Sequence, residues 1–424
     1  MSSFHVIEHQ IPCQHIREYA RATSGSQETV LHLAVKQYVP KDNPNPQPGD
    51  VTIVGAHANG FPKELYEPLW DDLHARSKKN GFRIRSVWIA DVAHQGQSSV
   101  LNEQLLGNDP NWNDHPRDLL HLINLKRDQM PRPLIGIGHS MGGNHLVNLA
   151  YMHPRLLTTL VLIDPVIQRY SSVAPEVGPS PARLSTFRRD IWPSREEAAK
   201  GFKSSKFYQA WDPRVLERFV KYGLRDLPTL LHPTESSRKP PQVTLTTPVP
   251  QEVFTFLRPN YEGNGVDGKA INLQTHPDLN PSLPTIAPFY RAEGPQAFFR
   301  LQELRPSVLY VFGGKSDVGT PESCKEKMDN TGVGVGGSGG APLGRVRSVV
   351  FEDIGHLIAM EAVDRTAIHA SEWVGSEIKL WKQDEEEHNR TWNSKSLVEK
   401  QSIDEQWKAM MGGPMERKPK QQKL

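Results

Sequence analysis

Residues that together perform acyl transfer stand far apart in this chain: a serine at 140, a histidine at 356, and carboxylates at 317 and 164. A serine hydroxyl is a weak nucleophile at neutral pH. It needs an imidazole to take its proton and a carboxylate to hold that imidazole in the correct tautomer. Ser140 sits in Gly138-His139-Ser140-Met141-Gly142, a G-x-S-x-G pattern. The apolar run from Leu134 to Ile137 in front of it reads as a buried strand, and Asn144 to Ala150 behind it reads as a helix. Glycines two residues to either side leave room for backbone that a Cβ would block. The serine oxygen then projects above a sheet. The N–H of Met141, at the helix start, points where an oxyanion would form.

His356 follows the last apolar strand, in a Gly-His turn before a helix, and is the candidate base. The chain has 17 histidines, so position rather than residue type carries this choice. Asp317 follows the strand Ser307 to Phe312 and the turn Gly314-Lys315-Ser316. It is the first choice as acid, in the chain order serine, acid, histidine. Asp164, closing the strand Leu160 to Ile163, is the alternative. Asp353 lies too near His356 in sequence to reach round it and reads as a surface carboxylate. The second oxyanion donor is expected from Asn59-Gly60-Phe61-Pro62: Phe61 N–H first, Asn59 N–H as the alternative. His57 on that loop reads as structural, and His139 as packing or hydrogen-bonding locally rather than acting as base. The chemistry needs no cofactor. No HExxH or paired-cysteine motif supports zinc.

These residues need a scaffold, and the pattern around them supplies one. Strand-like runs at 4–11, 31–39, 51–54, 84–90, 134–137 and 160–163 alternate, from the third onward, with helical spacing at 64–79, 116–126 and 144–152. Buried apolar strands in that rhythm imply an α/β fold with a mostly parallel sheet and helices on both faces. The rhythm stops near Ile167 and resumes at Ser307. Four segments follow: 1–166 as the first part of the core, 167–304 as a large inserted cap, 305–382 as the second part of the core, and 383–424 as a charged tail. The Gly-rich stretch from Gly332 to Gly344 lacks a preceding buried strand and reads as a loop, not a phosphate cradle.

Net charge is +2 and the pI about 8.4, too balanced to suggest nucleic acid or an anionic membrane. Two cysteines, Cys13 and Cys324, argue against a disulfide scaffold and fit a reducing compartment. The first residues, MSSFHVIEHQ, lack the apolar core of a secretory signal. No run approaches the ~18 apolar residues of a membrane span.

The GHSMGG turn, the Gly-x-x-Asp turn at Asp317 and the Gly-His at 356 resemble the α/β-hydrolase superfamily. More narrowly, HANGFPKELYEPLWDDL, Asp91-x-x-x-Gln95-Gly96 and LVLIDPV resemble the fungal peroxisomal hydrolases of the AK-toxin biosynthesis and yeast peroxisomal lipase type. The resemblance implies a capped Ser-His-acid hydrolase in fatty-acid or secondary metabolism. The residues themselves read as cleaving a lipophilic ester or thioester through an acyl-enzyme. The alternatives are an acyltransferase or lyase using the same residues, or a silent scaffold that binds a ligand or partner. The last residues, Gln422-Lys423-Leu424, fit a peroxisomal import tripeptide in Lys and Leu but carry Gln where a small residue is usual. The peroxisome, reached through its import receptor, is the expected compartment, with the cytoplasm as alternative.

Overall fold

The computed structural model describes residues 3–171, 181–233, 240–261, 271–283 and 288–413. Two compact units divide the chain, Met1–Ile378 and Lys379–Leu424. In the first, strands form in chain order: β1 (Phe4–Pro12), β2 (His32–Pro40), β3 (Val51–Ala56), β4 (Ile84–Ala90), β5 (Leu134–His139) and β6 (Thr159–Ile163). Short strands follow at β7 (Ile191–Trp192), β8 (Leu224–Asp226), β9 (Val243–Leu245), β10 (Arg258–Pro259) and β11 (Phe289–Tyr290). β12 (Ser307–Gly313) and β13 (Val346–Phe351) complete the set.

Eight of these make one sheet in the order β1-β2-β4-β3-β5-β6-β12-β13. β1 and β2 pair antiparallel, as do β2 and β4, and every pair from β4 to β13 is parallel. The middle of the parallel part, β3, β5, β6 and β12, is buried on both faces because its strands are mostly apolar, while the edge strand β13 exposes Arg347, Ser348 and Val350. Ile53, Ile135, Ile137, Val161 and Val311 face one core, with the helices Glu67–Ser77 and Val363–Asn393 supplying residues such as Trp70 and Trp373. Val54, Leu134, Leu160, Leu162 and Tyr310 face the other, with the helices Asp114–Leu125 and Met141–Met152. Covering both faces is what a parallel sheet requires.

The stretch 167–304 departs from the reading of an insertion without regular strands. It contains a three-stranded antiparallel sheet, β7-β9-β8, and a two-stranded ribbon, β10-β11. Strands of two or three residues carry too little periodicity to show in a sequence. Around β7-β9-β8, Trp192, Phe202, Trp211, Val215 and Phe219 pack together. In the second unit, helices run at Leu397–Gln401, with a capping box on Ser396, and at Glu405–Met410, capped by Asp404. Gln422, Lys423 and Leu424 lie outside the described residues. Among the described residues no helix is long and apolar enough to cross a membrane.

Candidate active site

Ser140 occupies the turn between β5 and the helix Met141–Met152 at φ 57 and ψ −119. A β-carbon-bearing residue pays of order 1–3 kcal/mol there, so the surrounding packing has to enforce it. Two glycines make that packing feasible. A Cβ on Gly138 would lie 2.5 Å from Gly142 O, and one on Gly142 would lie 2.1 Å from Ala56 O. The end of β3, before the loop 57–62, therefore sits directly against the turn. Ser140 N–H donates to Ile163 O at 2.9 Å, and Val166 N–H donates to Ser140 O at 3.1 Å, which ties the turn to the end of β6.

His356 arrives on the loop after β13. Gly313 admits this loop: a Cβ there would meet Gly355 O at 2.2 Å. Ser140 Oγ donates to His356 Nε2 at 2.8 Å, and His356 Nδ1–H donates to Asp164 Oδ2 at 2.6 Å. A carboxylate only accepts, so the proton lies on Nδ1 and Nε2 is left free to accept from the serine. Asp164 too has a positive φ, 40, and its N–H is held by Val311 O on the neighbouring β12 at 2.8 Å. Both residues whose positions matter most are thus held in conformations that L-residues avoid.

Asp317 is therefore not the partner of His356. Its side chain is exposed, while the preceding residue, Ser316, is buried and donates to Asp164 Oδ2 at 2.5 Å. The turn after β12 presents a hydroxyl, not a carboxylate, to the site. Phe61 is corrected in the same way. Its N–H closes a turn onto Ala58 O at 3.3 Å. No other residue takes up the N–H of Asn59 or of Met141 among the described residues. Asp353 pairs with Arg365 at the surface, as its sequence position implies.

Residues 53–368 match the model of the alpha/beta hydrolase family. The chain belongs to that family. It is 42% identical to the type I acyl-CoA thioesterase mpaH of Penicillium brevicompactum, over 95% of this chain and 94% of that one. It is also 42% identical to its namesake in Penicillium roqueforti, over 93% and 92%. The abhydrolase domain-containing protein AKT2 of Alternaria alternata is 25% identical over 66% of this chain and 97% of its own. The peroxisomal alpha-beta-hydrolase Lpx1 of Saccharomyces cerevisiae superposes with a TM-score of 0.63 at 17% identity, over 97% and 96% of the two chains, and so shares the fold.

Electrostatics in this hydrolase favour a charged acid and a basic imidazole. Burial opposes the charge on Asp164. The hydrogen bonds and charge of His356, the Ser316 hydroxyl and the Lys327 ammonium outweigh it and hold the carboxyl below its usual range. Burial also opposes a charge on His356, yet Asp164 raises its pKa above the ordinary imidazole value, with a smaller contribution from Asp317.

Residues beyond the sequence reading shape the loop 57–62. Val92 N–H donates to His57 Nε2 at 2.9 Å, so the His57 proton is on Nδ1 and goes to Ala58 O at 2.8 Å. Both ring nitrogens are taken up by backbone, and burial disfavours a charge on the ring. Gln95 accepts Gly60 N–H at 2.8 Å and donates to Asn59 Oδ1 at 2.6 Å. Glu252, on the helix Val249–Phe256 of the insertion, accepts from Asn59 Nδ2 through its carbonyl at 3.0 Å. Its side chain lies where a Cβ of Gly60 would be, at 2.8 Å. Gln95 stands in the Asp91-x-x-x-Gln95-Gly96 motif; Glu252 had no local signal, because its partner Asn59 is 193 residues away.

Ser140 is only 6% exposed. The open clefts of about 550 and 310 Å³ are lined by Arg21, Leu230 and Phe254 and by Arg117, Tyr151 and Arg300 respectively, and neither includes Ser140, His356 or Asp164. Among the described residues no three His, Cys, Asp or Glu side chains are placed to hold a metal ion.

Proposed function

We propose that Ser140, His356 and Asp164 form a catalytic triad that hydrolyses the coenzyme A thioester of a lipophilic acid. One observation carries the reading: a single imidazole joins the serine oxygen at 2.8 Å and a buried carboxylate at 2.6 Å. Ser140 Oγ attacks the acyl carbon while His356 Nε2 takes its proton. The tetrahedral oxyanion receives hydrogen bonds from the N–H groups of Met141 and Asn59. The Asn59 N–H shares a peptide with the Ala58 carbonyl, which His57 and Phe61 hold on the opposite side. Collapse expels the thiol, protonated by His356, and leaves an acyl-serine. Water, deprotonated by His356, then releases the acid and restores Ser140.

Two relatives of 42% identity and near-complete coverage are named acyl-CoA thioesterases, which supports a thioester over a simple ester. Residues 167–304 serve in this reading as the cap. Contacts from the insertion to the sheet-end loops support it: Glu252 to Asn59, Thr255 to Trp112, and Asp212 to Met360, just beyond His356. Phe61 meets the aromatic cluster at Trp211, with ring centroids 5.5 Å apart, which suits an apolar acyl group. A peroxisomal place in fungal fatty-acid or secondary metabolism accords with the yeast neighbour's name and with the names of the Penicillium and Alternaria relatives' organisms.

The test is release of free thiol from a series of acyl-CoA thioesters. Ser140→Ala should abolish it while leaving the circular dichroism spectrum unchanged. Undiminished release would remove Ser140 from the mechanism. Activity on p-nitrophenyl esters with none on any acyl-CoA would overturn the thioester assignment and leave the triad standing.

A further inference from the structure

Ala58 N–H donates to Tyr66 Oη at 2.8 Å, Tyr66 Oη lies 3.0 Å from His139 Nδ1, and His139 Nε2 lies 2.9 Å from the backbone oxygen of His356. The residues are buried, apart from the partly exposed His356. The proton positions follow from the ends of the chain. The His356 carbonyl only accepts, so His139 Nε2 carries the proton. The ring is neutral, its pKa pushed down to about 3 by burial and by the neighbouring His356. Nδ1 is then an acceptor, filled by the Tyr66 hydroxyl, which burial keeps protonated. That hydroxyl in turn accepts from Ala58. Each of these polar atoms is satisfied in one direction only.

The relay touches all three working parts of the site. Ala58 precedes the Asn59 N–H, His139 precedes Ser140, and the acceptor is the backbone of the base itself. We propose that Tyr66 and His139 are positioning residues that hold the oxyanion loop, the nucleophile turn and the His356 loop in one register. The proposal rests on the acyl-transfer reading above. It gives His139 a role besides local packing: the ring never receives the serine proton, yet it fixes where the imidazole that does so is hung. Misplacement of a reacting group by about 1 Å costs on the order of 100-fold in rate.

The experiment measures kcat and KM on the best acyl-CoA, with kcat expressed per Ser140 labelled to completion by a fluorophosphonate, so that unfolded protein does not count. His139→Leu should lower kcat about 10- to 100-fold with KM within about twofold. His139→Gln, whose amide reaches the His356 carbonyl, should recover most of the loss. Tyr66→Phe should lower kcat by about tenfold, and Tyr66→Phe combined with His139→Leu should be no worse than His139→Leu alone, because one chain of bonds is broken once. Unchanged kcat in the single variants, or losses that multiply in the double variant, would overturn the relay. If His139→Leu is insoluble, His139→Gln against Tyr66→Phe decides: equal losses in both contradict the rescue. Failure of the underlying reading is separate, since it appears as turnover in Ser140→Ala.

Discussion

Ser316 and His356 converge on one oxygen of Asp164, the hydroxyl at 2.5 Å and Nδ1 at 2.6 Å. The two donors come from the ends of β12 and β13, and the acceptor closes β6. These three strands are neighbours in the sheet, so Asp164 is braced by the same layer that carries His356.

Removing the hydroxyl isolates its contribution. A hydrogen bond to a charged group contributes about 1.5–3 kcal/mol, and a buried carboxylate leaves an unfilled site if the donor is lost. Ser316→Ala should lower the melting temperature measurably and reduce kcat by roughly tenfold. Thermal denaturation and steady-state kinetics on the same preparation check both. A variant indistinguishable from wild type would mean that His356 alone suffices to hold Asp164.

The exposed carboxylate beside the site acts only through space. Asp317 raises the pKa of His356 by its charge. The base works unprotonated, so kcat/KM rises with pH through the His356 pKa. Asp317→Asn removes the negative charge, lowers that pKa and moves the acid limb of the profile to lower pH. High salt should shrink the difference. A shift toward higher pH would reverse the sign of this coupling.

Acid should unfold the protein early. Burial holds His57, His115 and His145 below the usual imidazole range and pushes His94 and His139 to about 3. Imidazoles in the unfolded chain titrate near about 6.5. Below that pH the unfolded state binds more protons, so stability present above about 6.5 is lost as pH falls toward about 3. Asp114 and Asp118, raised by burial to about 6 and about 7, act in the opposite sense. His276, lowered by burial, adds to the loss, while His356 and Glu361, both raised, oppose it; six imidazoles against four opposing groups leave a net loss. The melting temperature should fall steadily between pH 7 and pH 4.5; a constant or rising value would contradict it.

Much of this was legible before any coordinates. The G-x-S-x-G turn carries its own glycines, and one close approach they permit, Gly138 to Gly142, is local; the other, Gly142 to Ala56, joins two neighbouring strand ends. The central strands declared themselves through short apolar runs, at 134–137, 160–163 and 308–312. The choice between Asp164 and Asp317 was not legible. Each follows an apolar strand, and those strands lie side by side, so both carboxylates start within range of His356. What separates them is a positive φ at Asp164 and the inward turn of Ser316, neither of which leaves a periodic trace. Phe61 misled for a similar reason: the glycine before it suggested an open N–H, but the turn folds that N–H onto Ala58.

The most direct measurement compares thiol release from an acyl-CoA by Asp164→Asn and by Asp317→Asn at pH 8. An amide at the triad acid favours the wrong tautomer and costs about 10⁴-fold in kcat in serine hydrolases of this logic. The structure predicts a loss of that order for Asp164→Asn, with Asp317→Asn within about tenfold of wild type. The reverse ranking would contradict the placement of Asp164 behind His356 and with it the mechanism.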